Sequence, residues 1–156
     1  MGAHALQAAD VLRGVRRLER GLRLAARAAE RATGLTAAQL FMLEELATAE
    51  SSSLADLASR THTDRSSVSV VIDRLAVAGL VKRSTSSDDR RRTESQITRR
   101  GRAVLARAPL SPTKGLVRAV ARLPATKVRQ LATALAALND ELGYTEEAML
   151  FEEERK

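Results

Sequence analysis

The chain has 156 residues, 44% of them hydrophobic, with 26 Lys and Arg against 19 Asp and Glu and no Cys or Trp. That length suits one compact domain or two small lobes sharing a core, and with Tyr144, Phe41 and Phe151 the only aromatics the core must be Leu, Val, Ile and Ala, which favours helices. Without Cys there are no disulfides, thiolate metal sites or thiol sensors, and His4 and His62 are too few and too far apart for zinc, so no cofactor is expected.

No apolar run reaches the roughly 18 residues of a membrane helix. Asp10, Arg13, Arg16 and Arg17 interrupt the stretch where a signal peptide needs an apolar core, so a soluble, cytoplasmic protein without a membrane partner is expected. The charge is uneven. Residues 140–156 hold seven acids against Arg155 and Lys156, a net of −5, which leaves +12 on residues 1–139. A positive body of this kind invites a polyanion.

From residue 5 to about 32 the apolar positions Val11, Val15, Leu18, Leu22, Ala25 and Ala29 recur at helical spacing, predicting a long amphipathic helix that Gly34 ends. Its arginines, from Arg13 to Arg31, fall on the remaining faces, where a solvated face is the plainer reading of each. Thr36 with Gln39 fits a capping box and predicts a second helix to about Glu50. Ser53 with Asp56 repeats the arrangement and predicts a short third helix, "LADLASR", which "THT" breaks. Asp64 then caps a fourth helix, "RSSVSVVIDRLAVAGL", with Val68, Val71, Ile72 and Leu75 as its apolar stripe and Gly79 closing it.

Two short helices joined by a tight turn, the second opening on small hydroxyl side chains and an arginine, suit a helix-turn-helix. Short side chains let a helix approach the floor of the roughly 12 Å major groove, where Ser and Arg hydrogen-bond base edges or phosphates. Helical hairpins with Ser-rich caps also occur in purely structural settings. The period then changes: "LVKRS" and "TESQI" read as two strands around a polar tip, and Thr98 caps a further helix. From Lys82 to Arg102 there are eight basic residues and three acids. Helix-turn-helix, strand, basic loop, strand, helix is a winged arrangement, with Arg90, Arg91 and Arg92 at the tip of a two-stranded wing.

These residues also carry a family resemblance. The segment "SLADLASRTHTDRSSVSVVIDRLAVAGLVKRSTSSDDRRRTESQITRRG" resembles the DNA-binding core of the MarR (multiple antibiotic resistance regulator) family. The matching residues are Leu57 and Ala58, Asp73 to Leu75 with Gly79 to Val81 and Arg83, Asp89 to Arg91, and Ile97, Thr98 and Gly101. With its flanking helices the resemblance covers about residues 36 to 142. Two departures are visible: the return strand "TESQ" is more polar than the family's usual alternation, and Ser69 stands where a threonine is common.

Downstream, Pro109 and Pro112 interrupt the helix begun at Thr98, and a restarted helix carries Leu116, Val117, Val120 and Leu123. The last helix carries Val128, Leu131, Leu135, Leu138 and Leu142, a narrow seam that wants a partner helix. Packing within the subunit against the first helix would satisfy it; the resemblance implies instead that the terminal helices of two subunits interlock. The expected fold is mainly α with a small β-hairpin wing: a winged helix-turn-helix plus a helical dimerisation region from both termini. Its expected divisions are residues 1–33, an N-terminal dimerisation helix; 34–102, the DNA-binding domain; 103–144, C-terminal dimerisation helices; and 145–156, an acidic tail.

An enzyme is not expected, because His62 sits at a turn without a recognisable catalytic partner and Asp88 with Asp89, adjacent loop carboxylates beside three arginines, are better read as self-paired or solvated. A nucleoid-type protein that binds DNA without sequence preference is the alternative to a regulator. The reading is a sequence-specific regulator of transcription, a ligand-responsive homodimeric repressor, binding a palindromic operator in double-stranded DNA. Arg65, Ser66, Ser67, Ser69 and Arg74 form its recognition-helix contacts and Lys82, Arg90, Arg91 and Arg92 its wing contacts. Asp89 orients a neighbouring arginine, while Arg74 and Lys82 suit phosphate better than bases. The resemblance further implies a small-molecule effector pocket between the dimer helices and the DNA-binding lobe, with Arg16, Arg20, Met42 and Arg102 as candidate lining.

Overall fold

The computed structural model describes residues 3–85 and 93–144. In chain order the elements are α1 (Ala3–Thr33), α2 (Ala37–Leu46), β1 (Ser52–Ser53), α3 (Leu54–Thr61), α4 (Arg65–Val77), β2 (Val81–Thr85), β3 (Thr93–Ile97), α5 (Arg99–Arg107), α6 (Pro112–Ala121) and α7 (Ala125–Glu141). Residues 1–115 form one compact unit and residues 116–156 a second.

Local chemistry sets the helix boundaries. Gly34, at φ +74°, ends α1 in the left-handed region and donates its N–H to the Glu30 carbonyl at 2.7 Å. The capping box at α2 is complete, with Gln39 N–H donating to Thr36 Oγ1 at 3.2 Å and Thr36 N–H to Gln39 Oε1 at 3.0 Å. Instead of reaching Glu50, α2 stops at Leu46: the Thr48 hydroxyl donates to the Glu45 carbonyl at 2.7 Å, and the chain turns out into a strand. Ser53 and Asp56 make the second capping box, at α3.

At α4 the cap is Asp64, whose Oδ1 accepts the Ser67 N–H at 2.8 Å and the Ser66 hydroxyl. The Ser66 hydrogen bond, followed by those of Ser67, lowers the Asp64 pKa from 3.8 to about 2.

One core joins these pieces. Leu40, Leu43 and Leu46 of α2, Leu57 of α3, and Val68, Ile72 and Leu75 of α4 are fully buried together, with Ala29, Leu35, Met42, Leu80, Val81, Ile97 and Val104 completing the cluster. Each large aliphatic side chain buried this way contributes about 1.5–3 kcal/mol.

The sheet has three strands, in the order β1-β3-β2, all antiparallel, where the sequence predicts two. Ser52 pairs with Ser95 and Ser53 with Glu94, so β3 is the central strand. This explains its polar sequence: Ser95 is buried beside β1, and Glu94 Oε2 accepts the Ser51 hydroxyl.

The base of the β2–β3 hairpin is closed tightly. The Thr98 N–H donates to the Leu80 carbonyl at 2.9 Å and its hydroxyl to the Gly79 carbonyl at 2.8 Å. Gly101, one turn into α5, is buried where a Cβ would lie 2.4 Å from Leu80 O and 2.7 Å from Ile97 Cγ1. Only glycine lets the helix approach this backbone. Beyond α5, Ala108 is extended ahead of Pro109, and the fully buried Ser111 donates its N–H (2.9 Å) and its hydroxyl to the Glu44 carboxylate of α2.

Three substitutions test these contacts. Gly101→Ala should lower folding stability by about 1–3 kcal/mol in urea or thermal melts, because its obstacle is backbone. Gly115→Ala, on α6 with nothing within 4 Å of the added Cβ, should be neutral or stabilising by up to about 1 kcal/mol. Asp64→Ala should lose about 1 kcal/mol at pH 7, the usual worth of such a cap. The native pKa of about 2 lies below the ordinary 3.8, so the carboxylate's contribution is complete above about pH 4 and disappears as pH falls through 2, where the melts of variant and wild type should converge.

Candidate nucleic-acid interface

The helix-turn-helix consists of α3, the turn His62–Asp64 and α4. His62 takes the left-handed conformation (φ 51°), and the Thr63 N–H reaches back to the Ala58 carbonyl at 3.1 Å, so the turn is short and hydrogen-bonded. Because Val68, Ile72 and Leu75 are buried, the opposite side of α4 is the one exposed. Ser66, Val70, Asp73, Arg74 and Val77 lie on it, with Arg65 exposed in the first turn.

The residues predicted as recognition-helix contacts therefore separate. Arg65, Ser66 and Arg74 are exposed, and neither arginine makes an ion pair among the described residues. Ser69 is half-buried at the edge of this face, and Ser67 is half-buried with its N–H held by the Asp64 cap. Val70, half-exposed in the middle of the face, is absent from the sequence-derived set; its place 180° or so from the buried stripe, counted at 3.6 residues per turn, is the signal that finds it.

Of the two carboxylates near this face, Asp64 keeps its charge but is held in the cap by the Ser66 hydroxyl and the Ser67 N–H. Asp73 accepts an ion pair from Arg83 of β2 at 2.6 Å, linking α4 to the adjoining strand. Both side chains of the pair are partly exposed, so its worth in stability is at most about 1 kcal/mol; its effect is to orient and to cancel charge. Lys82, the next residue back along β2, is exposed and pairs in the sheet with Gln96. Asp89, Arg90, Arg91 and Arg92 lie outside the described residues.

The residues considered for an effector pocket do not come together. Met42 is a buried core residue, Arg16 and Arg102 are exposed, and Arg20 borders a shallow depression with Arg23, Leu24 and Arg27 on the surface of α1. A crevice of about 370 Å³ lies elsewhere in the first unit, between the α1–α2 turn (Thr33, Gly34, Leu35), the α4–β2 turn (Ala78, Leu80) and α5, which contributes Arg100, Ala103, Val104 and Arg107. Among the described residues no group of His, Asp and Glu is arranged to hold a metal ion, and no helix is long and apolar enough to cross a membrane.

Residues 35–93 match the model of the MarR family. No curated protein sequence matches the chain. Among solved structures, a MepR-like protein complexed with pseudoligands is 24% identical, with 92% of this chain and 98% of that one covered and a TM-score of 0.59. A probable transcriptional regulator from Pseudomonas aeruginosa is 28% identical over 80% of this chain and 92% of its own, with a TM-score of 0.55. A MarR variant from E. coli complexed with operator DNA is 21% identical over 85% of this chain and 95% of its own, with a TM-score of 0.59. Residues 35–93 therefore match the MarR family, and the chain has the winged helix fold of the MarR-family structures it resembles.

Proposed function

We propose that this protein is a transcription regulator that binds double-stranded DNA sequence-specifically as a homodimer and represses by occupying a palindromic operator. The observation that carries the reading is the outward face of α4, an exposed surface of Ser66, Val70 and Arg74 with Arg65 at its N-terminal turn, on which the one carboxylate, Asp73, is paired with Arg83. In this reading α4 lies in a major groove, Arg65, Ser66 and Ser69 read bases, Ser67 steadies the helix start, and Arg74 and Lys82 hold phosphates. Arg90, Arg91 and Arg92, oriented by Asp89, then follow the neighbouring minor groove, where arginine is favoured by a narrow groove's negative potential. A DNA-bound regulator of this kind works in the cytoplasm.

A second copy of the chain is proposed as the cover for the apolar helix surfaces at both ends. Val11, Val15 and Leu18 of α1 are exposed, although Ala29 further along the same helix is buried, and α7 exposes Leu131, Leu135, Leu138 and Leu142. On this reading residues 1–33 and 103–144 dimerise, residues 34–102 bind DNA, and residues 145–156 are an acidic appendage. For response to a small effector, the crevice at Arg100 and Arg107 is the best supported location, since it adjoins the turn that follows α4. Two cationic side chains there would suit an organic anion.

The same binding experiment separates a regulator from a nucleoid-type protein. Duplexes selected from a random library should bind about 10³-fold or more tightly than random DNA, whereas a packaging protein would show little preference. Arg65→Ala or Ser69→Ala should lose about 1–3 kcal/mol on the selected duplex and less on random DNA. Equal losses on both would assign these side chains to phosphate. Leu135→Asp with Leu138→Asp should yield monomers in light scattering and abolish operator binding; a wild type of monomer mass at micromolar concentration would overturn the dimer.

A further inference from the structure

We infer that Val70 is a specificity-determining residue, which reads the 5-methyl group of a thymine in each half-site. The inference rests on the reading of α4 as the groove-facing helix and adds to it a residue and the chemical group it recognises.

Val70 is 49% exposed at the centre of the outward face, with Ser66 one turn before it and Arg74 one turn after. An exposed β-branched residue gains nothing for a helix, where its propensity is below that of Ala, Glu or Lys. It does bring a stiff side chain: valine in a helix is held largely in one χ1 rotamer, so its two methyl groups are presented in a fixed direction without further ordering. In the major groove the one apolar feature of a base pair is the thymine methyl, and an aliphatic side chain is its natural contact.

The surroundings support a base over other apolar partners. A single valine ringed by Ser66, Asp73 and Arg74 is too small an apolar area for a protein interface. Asp73, the one carboxylate on this face, is paired with Arg83, so its charge is cancelled as the helix enters the groove, while Asp64 lies ahead of the helix in its N-cap. Val77 is more exposed, at 91%, but it is the last residue of α4, roughly 10 Å further along the axis. Base contacts come from the N-terminal part of a recognition helix, which favours Val70.

The test is a thymine-to-deoxyuridine scan of a duplex selected from a random library by the full-length protein. Each substitution removes one 5-methyl group and keeps the base pairing. Wild type should weaken about fourfold at one thymine in each half-site, the worth of one buried methyl group. Val70→Ala, which removes the contact from both half-sites of the homodimer, should bind the all-thymine duplex about 16-fold more weakly and be indifferent to uridine at those two positions. If no uridine weakens the wild type, or if each weakens wild type and Val70→Ala alike, the methyl contact is overturned while the groove-facing assignment of α4 stands. If no duplex is enriched over random DNA, that assignment falls and this inference with it. The wild-type scan uses no variant, so a scan with no sensitive thymine overturns the contact even if Val70→Ala fails to fold, and Val70→Thr, which keeps the β-branch, serves as the second variant that assigns a sensitive thymine to position 70.

Discussion

The rotational setting of α4 is the constraint on which the rest of the molecule depends. Val68, Ile72 and Leu75 are completely buried against α2 and α3. Turning the helix by one residue's angle would bring them to water and drive Asp73 or Arg74 toward the core, at a cost of several kcal/mol for an unpaired charge alone. The outward face is therefore fixed by the inward one. Residues with no structural task of their own, such as Val70 and Arg74, are held in position by leucines that never reach the surface.

The sheet extends this fixation sideways. Ser53 is both the last residue of β1 and the N-cap of α3, and its neighbour Ser52 pairs with Ser95 of the central strand while accepting a hydrogen bond from Arg60 at 3.0 Å. Glu45 at the end of α2 meets Lys114 at 3.2 Å and lies 4.0 Å from Arg60. The helix-turn-helix, the hairpin and the start of α6 thus share donors and acceptors, and the Asp73–Arg83 pair connects α4 with β2 directly.

What the sequence made legible was whatever short-range chemistry controls. Thr36 with Gln39, Ser53 with Asp56, Asp64 and Thr98 each announce a helix start, because a cap satisfies backbone donors within three residues. The buried stripe of α4 was legible by period alone. β1 was not: two serines carry no apolar alternation, and their partners, Ser95 and Glu94, lie 43 and 41 positions further along the chain. Without β1 the polar residues of β3 look like a departure from a strand pattern, whereas β3 is the central strand, paired along both edges, with Ser95 buried. Val70 escaped because reading a helix for its core picks out the stripe and passes over an apolar residue outside it. Met42, left open between core and pocket lining, is a core residue; sequence does not say which half of α2 faces the core when nearly all of that helix is apolar.

The closed base of the hairpin separates two kinds of change. Thr98 and Gly101 fasten the start of α5 to the Gly79–Leu80 turn by backbone contacts that leave no room even for a methyl group. Strands β2 and β3 leave and return through a joint of fixed width. Insertions or deletions between residues 85 and 93 would alter how far the hairpin extends, yet leave the bearing of α4 and the origin of α5 untouched. In the course of divergence, length and composition of that tip can drift independently of the helix beside it, whereas a single carbon atom added at position 101 would disturb both at once.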